Sequence, residues 1–224
     1  MRVRRVGLGV VLALSAGGAA PVGSGGAATM DSLVAAGARW WRESPDPRSP
    51  VACATCHHDP AATREWAASF PKLKPEPPPY ARVMTFLQAN AEAVRRHYGV
   101  AEPRPVATAI TAYLAAHGAG RPPTPGIAAG QPVFPARLAE LARSVARGQG
   151  LYARRCAACH DESSSGEAVT RFPRVQDGRG ESLEAFLEHH TTALPPLAWD
   201  GQPMADVIAY LLARRAGGPA KEQP

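Results

Sequence analysis

Four cysteines occur in this chain of 224 residues, as Cys53-Ala54-Thr55-Cys56-His57 and Cys156-Ala157-Ala158-Cys159-His160. Every cysteine belongs to a C-x-x-C pair, and each pair runs straight into a histidine. That spacing is what covalent attachment of haem needs. Two thiols add across the two vinyl groups on one edge of the porphyrin, and the next imidazole reaches the iron from the near side. Cys53, Cys56, Cys156 and Cys159 are therefore candidate thioether positions for two covalently attached haem c groups, with His57 and His160 as candidate proximal ligands. A thioredoxin-like redox pair would account for neither the histidines nor the duplication. A zinc ribbon would bring its C-x-x-C pairs within roughly 15 to 20 residues, far closer than Cys56 and Cys156 stand here. Two disulfides stay open as an alternative, because spacing does not fix connectivity.

The stretches around the two motifs repeat a common order: a short helix, the motif, an irregular segment, a middle helix and a final helix carrying Tyr-Leu. Gly148 and Tyr152 precede the second motif on a helical segment, and Gly37 and Trp41 have the same spacing on the segment from Asp31 to Trp41. The insertion RESPDPRSPVA then separates Trp41 from Cys53. Thr108 to His117 and Ala205 to Leu211 form the final helices, with Tyr113-Leu114 matching Tyr210-Leu211. The second half, with G-x-x-x-Y-x-x-x-C ahead of its motif, resembles the small class I cytochromes c over about 80 residues. The whole chain resembles dihaem c-type cytochromes made of two such domains. The resemblance implies an all-α fold of two small cytochrome c-like haem domains joined by a Pro/Gly-rich linker.

Proline and glycine place the boundaries. From Gly118 to Pro135 the sequence GAGRPPTPGIAAGQPVFP breaks any helical period. The expected organisation is a haem domain over 29–120, a linker over 121–135, a second haem domain over 136–217 and a flexible tail over 218–224. A second proline cluster, Phe70 to Pro79, cannot be helix and is expected to form either an irregular wall over the first haem or a plain surface loop. Each domain is near the size at which a hydrophobic core alone is marginal, so haem is expected to supply much of the apolar interior.

The chain starts MRVRR, followed by an apolar, small-residue run that ends near Ala28. This is the layout of a secretory signal peptide, expected over 1–28, and the apolar part is too short to span a bilayer. A periplasmic or otherwise exported location follows, with no stable membrane span after cleavage. Losing Arg2, Arg4 and Arg5 lowers the formal charge from +6 to about +3. No Lys/Arg cluster interleaved with aromatics is left, so a nucleic-acid partner is not expected.

The sixth ligand decides what each iron can do. The resemblance implies a Met-Pro about 16 residues before the aromatic of the final helix. Counting back from Tyr113 gives His97, in His97-Tyr98-Gly99, which implies bis-histidine ligation of the first haem by His57 and His97; a short H-[YF]-G likeness to bis-histidine dihaem cytochromes points the same way. Met84 is the alternate, read as a core residue in a helix from Tyr80 to Ala93. His58 adjoins the proximal ligand, and His117 comes too late. Counting back from Tyr210 gives Leu194, which cannot ligate. On the helical stretch Glu181 to His190, His190 shares a face with Leu183, Phe186 and Leu187, whereas His189 is turned about 100° away. His190 is therefore the preferred sixth ligand of the second haem. Met204 reads as core in the final helix, capped by Asp200; Met204 and His189 stay as alternates, as does an open iron.

These features predict an exported electron carrier working with redox protein partners. Whether it is also an enzyme is left open: a five-coordinate second haem would make it a small-ligand binder or redox enzyme with the first haem as relay. A subunit of a larger oxidoreductase is a further alternative.

Overall fold

The computed structural model describes residues 29–49, 51–58, 60–75, 81–121, 123–127, 130, 132–160, 171–190 and 195–215. The expected signal peptide, Leu194 and the tail lie outside them.

Two crossings of long helices organise the molecule. In the first half, α1 (Met30–Arg42) packs on α6 (Arg104–His117), and in the second, α7 (Pro135–Arg155) packs on α9 (Gln202–Arg215). Glycine permits both. A Cβ on Gly37 would run into the carbonyl of Ala109 and stand 2.7 Å from Cβ of Tyr113. A Cβ on Gly148 would run into the carbonyl of Asp206 and stand 2.9 Å from Cβ of Tyr210. The aromatics one turn later meet across the same crossings, with Trp41 and Tyr113 ring centroids 6.2 Å apart and Tyr152 and Tyr210 5.3 Å apart. The glycine–aromatic spacing of the sequence is thus the contact spacing of the fold.

Short helices α2 (Cys53–Cys56), α3 (Pro60–Thr63) and α4 (Trp66–Ser69) follow α1. Then comes an element that the all-α expectation omits: β1 (Lys72–Lys74) pairs antiparallel with β2 (Arg82–Met84). The stretch expected to be irregular from Phe70 therefore contains a strand, although Pro77 to Pro79 lie outside the described residues. Helix α5 (Phe86–Tyr98) begins later than the sequence expectation because Thr85 and Gln88 form a reciprocal capping box. Met84 consequently lies in a strand and not in a helix. Gly99 ends α5 at φ 64, a left-handed cap that glycine adopts without strain.

The second half has its own hairpin, β3 (Arg174–Gln176) with β4 (Arg179–Glu181), before α8 (Leu183–His190). Asp177 and Gly178 both have positive φ, 49 and 72, as a two-residue hairpin turn requires. Glu181 ends a strand, so the helix expected from Glu181 starts two residues later. Helix α9 begins at Gln202, where the carbonyl of Gly201 accepts from Ala205, so Asp200 is not its cap.

The hairpins are exchanged. Val83 and Leu73 of the first hairpin pack against Leu141, Val145 and Ala209 of α7 and α9. Strand β4 packs on α6, and Gly180 lies against the side chain of Leu33 in α1. Beyond α6, Thr124 and Gly126 of the expected linker donate backbone hydrogen bonds to Ala68 and Ser69.

Candidate haem sites

Both cysteine motifs fold to the same local shape. Cys53–Cys56 makes one helical turn and the His57 amide donates to the Cys53 carbonyl at 2.9 Å; the His160 amide donates to the Cys156 carbonyl, also at 2.9 Å. The turn puts two thiols and one imidazole on a single short arc. All four cysteines are free, Cys53 and Cys156 half-buried and Cys56 and Cys159 exposed. Burial pushes both inner thiols, Cys53 and Cys156, above the ordinary cysteine range.

In the second half, α8 brings His190 to His160. Their Nε2 atoms are 3.4 Å apart, and the ring centroids are 5.7 Å apart. At that distance the nitrogens are in hydrogen-bond contact, short of the roughly 4 Å that two metal–imidazole bonds to one ion would span, so the two rings form a candidate ligand pair that would part slightly to admit an iron. Phe186, one turn earlier, stacks on His190 at 4.6 Å and 28°. The Arg174 guanidinium covers Phe186 in turn, 5.1 Å from its centroid. His189 turns away, its Nδ1 2.7 Å from the carbonyl of Ala185. Met204 is completely buried in the cluster of Tyr152, Leu197, Val207, Ile208 and Leu211.

In the first half, the His57 ring stacks on Trp41 at 6.0 Å and meets the edge of Trp66 at 5.0 Å. This partial burial holds the imidazole below its ordinary pKa, with smaller contributions from the positive charges of His97 and Lys74. His97 is exposed in the last turn of α5, and its carbonyl accepts from Ser49. Its neighbour Tyr98 fixes this end of the helix: fully buried, it donates to the carbonyl of Trp40 at 2.6 Å and accepts from the Cys53 amide at 3.1 Å. Met84 is buried in β2 opposite Lys72. His117 packs edge-on to Tyr113, and His58 is exposed.

A cavity of about 750 Å³ lies at the junction of the halves. Its walls include Phe70, Phe86, Phe172, Leu183 and Ile208, with Thr85 and Glu184 among the polar members. None of the four cysteines, nor His57, His97, His160 or His190, lines it, so it is a feature of the seam between the halves and not of either C-x-x-C-H arc.

Tyr98 and Phe186 figure in the sequence only as neighbours of the candidate ligands, and nothing local to Arg174 or Glu184 marks them. A signal for part of this was present. Phe70-Pro71-Lys72 and Phe172-Pro173-Arg174 are a second repeat, each opening a strand, and each hairpin is followed by a hydroxyl at a helix start, Thr85 or Ser182.

A glycine-locked helix crossing, a C-x-x-C-H arc and a histidine facing it define a small helical c-type haem-binding domain. Residues 143–211 match the family model described as cytochrome c oxidase, cbb3-type, subunit III. That part of the chain is a cytochrome c domain, and Cys156, Cys159 and His160 fit its attachment motif. At least one covalent haem c is implied, and with it haem-based electron transfer to redox partners. No curated protein matches the chain. No described helix is long and apolar enough to cross a membrane.

Proposed function

We propose that the chain is an exported dihaem cytochrome c that passes electrons between redox protein partners through two covalent, bis-histidine haems. Cys53 and Cys56 hold the first with His57 and His97 as axial ligands; Cys156 and Cys159 hold the second with His160 and His190. The observation that carries the reading is the 3.4 Å approach of His160 and His190. The duplicated crossing of Gly37 on Ala109 and Gly148 on Asp206 supports two haem domains, over 29–120 and 136–217.

Bound haem supplies a one-electron ferric–ferrous couple, and histidine in place of methionine keeps its potential comparatively low. The protein's own contribution is to hold the rings and limit water. Trp41 and Trp66 wall the His57 ring, while Phe186 walls the His190 ring and is itself covered by Arg174. With His190 facing the second motif and His97 taken as the sixth ligand of the first haem, neither iron would keep a vacant position for a substrate, which favours a carrier over a small-ligand enzyme. The arginine-led, apolar start of the sequence supports export.

Haem counting tests the reading. Purified protein should show two haems per chain in an alkaline pyridine assay and a mass raised by two haem groups. A single haem per chain would overturn it.

A further inference from the structure

The helix that carries His190 is held by polar groups of the other half of the molecule. On α8, Phe186 and His190 share one face, while Glu184 and Glu188, also four residues apart, share another. Glu184 is buried and accepts from the hydroxyl of Thr85, the capping residue of α5. Glu188 pairs with Arg104 at the start of α6, at 2.6 Å. Within the second half, α8 is held by apolar contacts of Leu183 and Leu187, by Phe172 and Arg174 against Phe186, and by Ser182, whose hydroxyl caps its first turn.

The return segment that leads from α8 to α9 is held the same way. Gln88 donates to the carbonyls of Trp199 and Gly201 at 2.9 and 3.1 Å, and Arg82 donates to that of Asp200 at 2.7 Å. Trp199 packs against the core of the first half, with the Arg104 guanidinium 5.5 Å from its ring. The Trp199 amide donates to Glu188 at 3.4 Å, closing the link back to α8.

We infer that the first half holds the sixth ligand of the second haem in place: Thr85 and Arg104 are positioning residues that act through Glu184 and Glu188 to keep His190 over His160. This rests on the assignment of His190 as a ligand. Its consequence is that the second iron is closed only while the two halves stay docked; loosening the seam opens that iron, and not the first, to a small neutral ligand such as carbon monoxide.

The test uses the full-length protein with both haems attached, comparing the ferric spin state and the carbon monoxide spectrum of the reduced form. Arg104→Glu repels Glu188 at a partly exposed site, and Thr85→Val removes the donor to Glu184 together with the cap of α5. Both should raise the carbon monoxide-reactive fraction several-fold while one haem stays low-spin. Adding Glu188→Arg to Arg104→Glu should restore the inert state, a rescue that general loosening would not give. If Arg104→Glu and Thr85→Val leave both haems low-spin and inert while His190→Ala opens one, His190 is a ligand but the first half does not hold it, and the inference falls. If His190→Ala itself changes nothing, the ligand assignment falls and takes the inference with it.

Discussion

Nε2 of His190 faces Nε2 of His160 at 3.4 Å across the mouth of the second motif. The two residues come from separate elements, and the ring of His190 is steadied by Phe186 behind it. Replacing His190 by alanine removes the facing nitrogen. The second haem should become high-spin and bind carbon monoxide when reduced. His189→Ala, which loses only the contact with the Ala185 carbonyl, should leave the spectrum as it is. The opposite pattern would move the ligand to His189.

Gly148 has no room for a side chain, because the Asp206 backbone occupies the place of a Cβ. Gly148→Ala must push α7 and α9 apart, an overpacking that costs about 1–3 kcal/mol. Denaturant unfolding should show that loss. Gly150→Ala, on the same helix, meets only the flexible end of Arg154 at 3.2 Å and should be neutral or stabilising by up to about 1 kcal/mol, the helix-propensity gain of alanine. Equal losses at both positions would contradict the crossing as the cause.

Asp206 is the polar clamp of the same crossing. Its carboxylate accepts from Ser144 at 2.6 Å, from Gln202 at 2.8 Å and from Arg147 at 2.9 and 3.0 Å. Arg147 can rehydrate when released, since its side chain is 44% exposed, but Ser144 is buried. Asp206→Ala should therefore cost about 1–3 kcal/mol, the usual consequence of a buried hydroxyl losing its partner. An unchanged unfolding midpoint would remove Asp206 from the account of the fold.

Burial pushes the Glu184 carboxyl above its ordinary 4.5, against the smaller opposing effects of the Thr85 hydrogen bond and of Ser182. The folded protein then holds this proton more tightly than the unfolded chain. Below 4.5 both states are protonated and Glu184 costs nothing; as pH rises from there through the raised folded value, stability falls. Glu184→Gln should remove that decline, so the two proteins should diverge as pH increases. Parallel stability curves across the acid-to-neutral range would contradict the burial argument.

The C-x-x-C-H arcs, the final helices and the glycine–aromatic spacing are legible in the sequence because each is set by neighbours within one or two helical turns. Met204 in the core and His190 on the apolar side of α8 follow from the same local periodicity. Proline beside a three-residue strand hides the first hairpin, the second is signalled only by its Asp177-Gly178 turn, and the Thr85–Gln88 capping box is the local signal that puts Met84 outside α5. The exchange of hairpins, and the burial of Glu184 against Thr85, could not be read locally. Glu184 pairs with a residue 99 positions away, in the other half of the chain.

The most direct test of two bis-histidine haems is electron paramagnetic resonance of the ferric full-length protein, with signal intensity referred to the haem content of the same sample. Two low-spin signals accounting for all the haem, with no high-spin component, are the predicted result, and the absorption spectrum of the same ferric sample should lack the long-wavelength band of methionine ligation. A high-spin signal from one haem in the unmodified protein, or the methionine band, would contradict it.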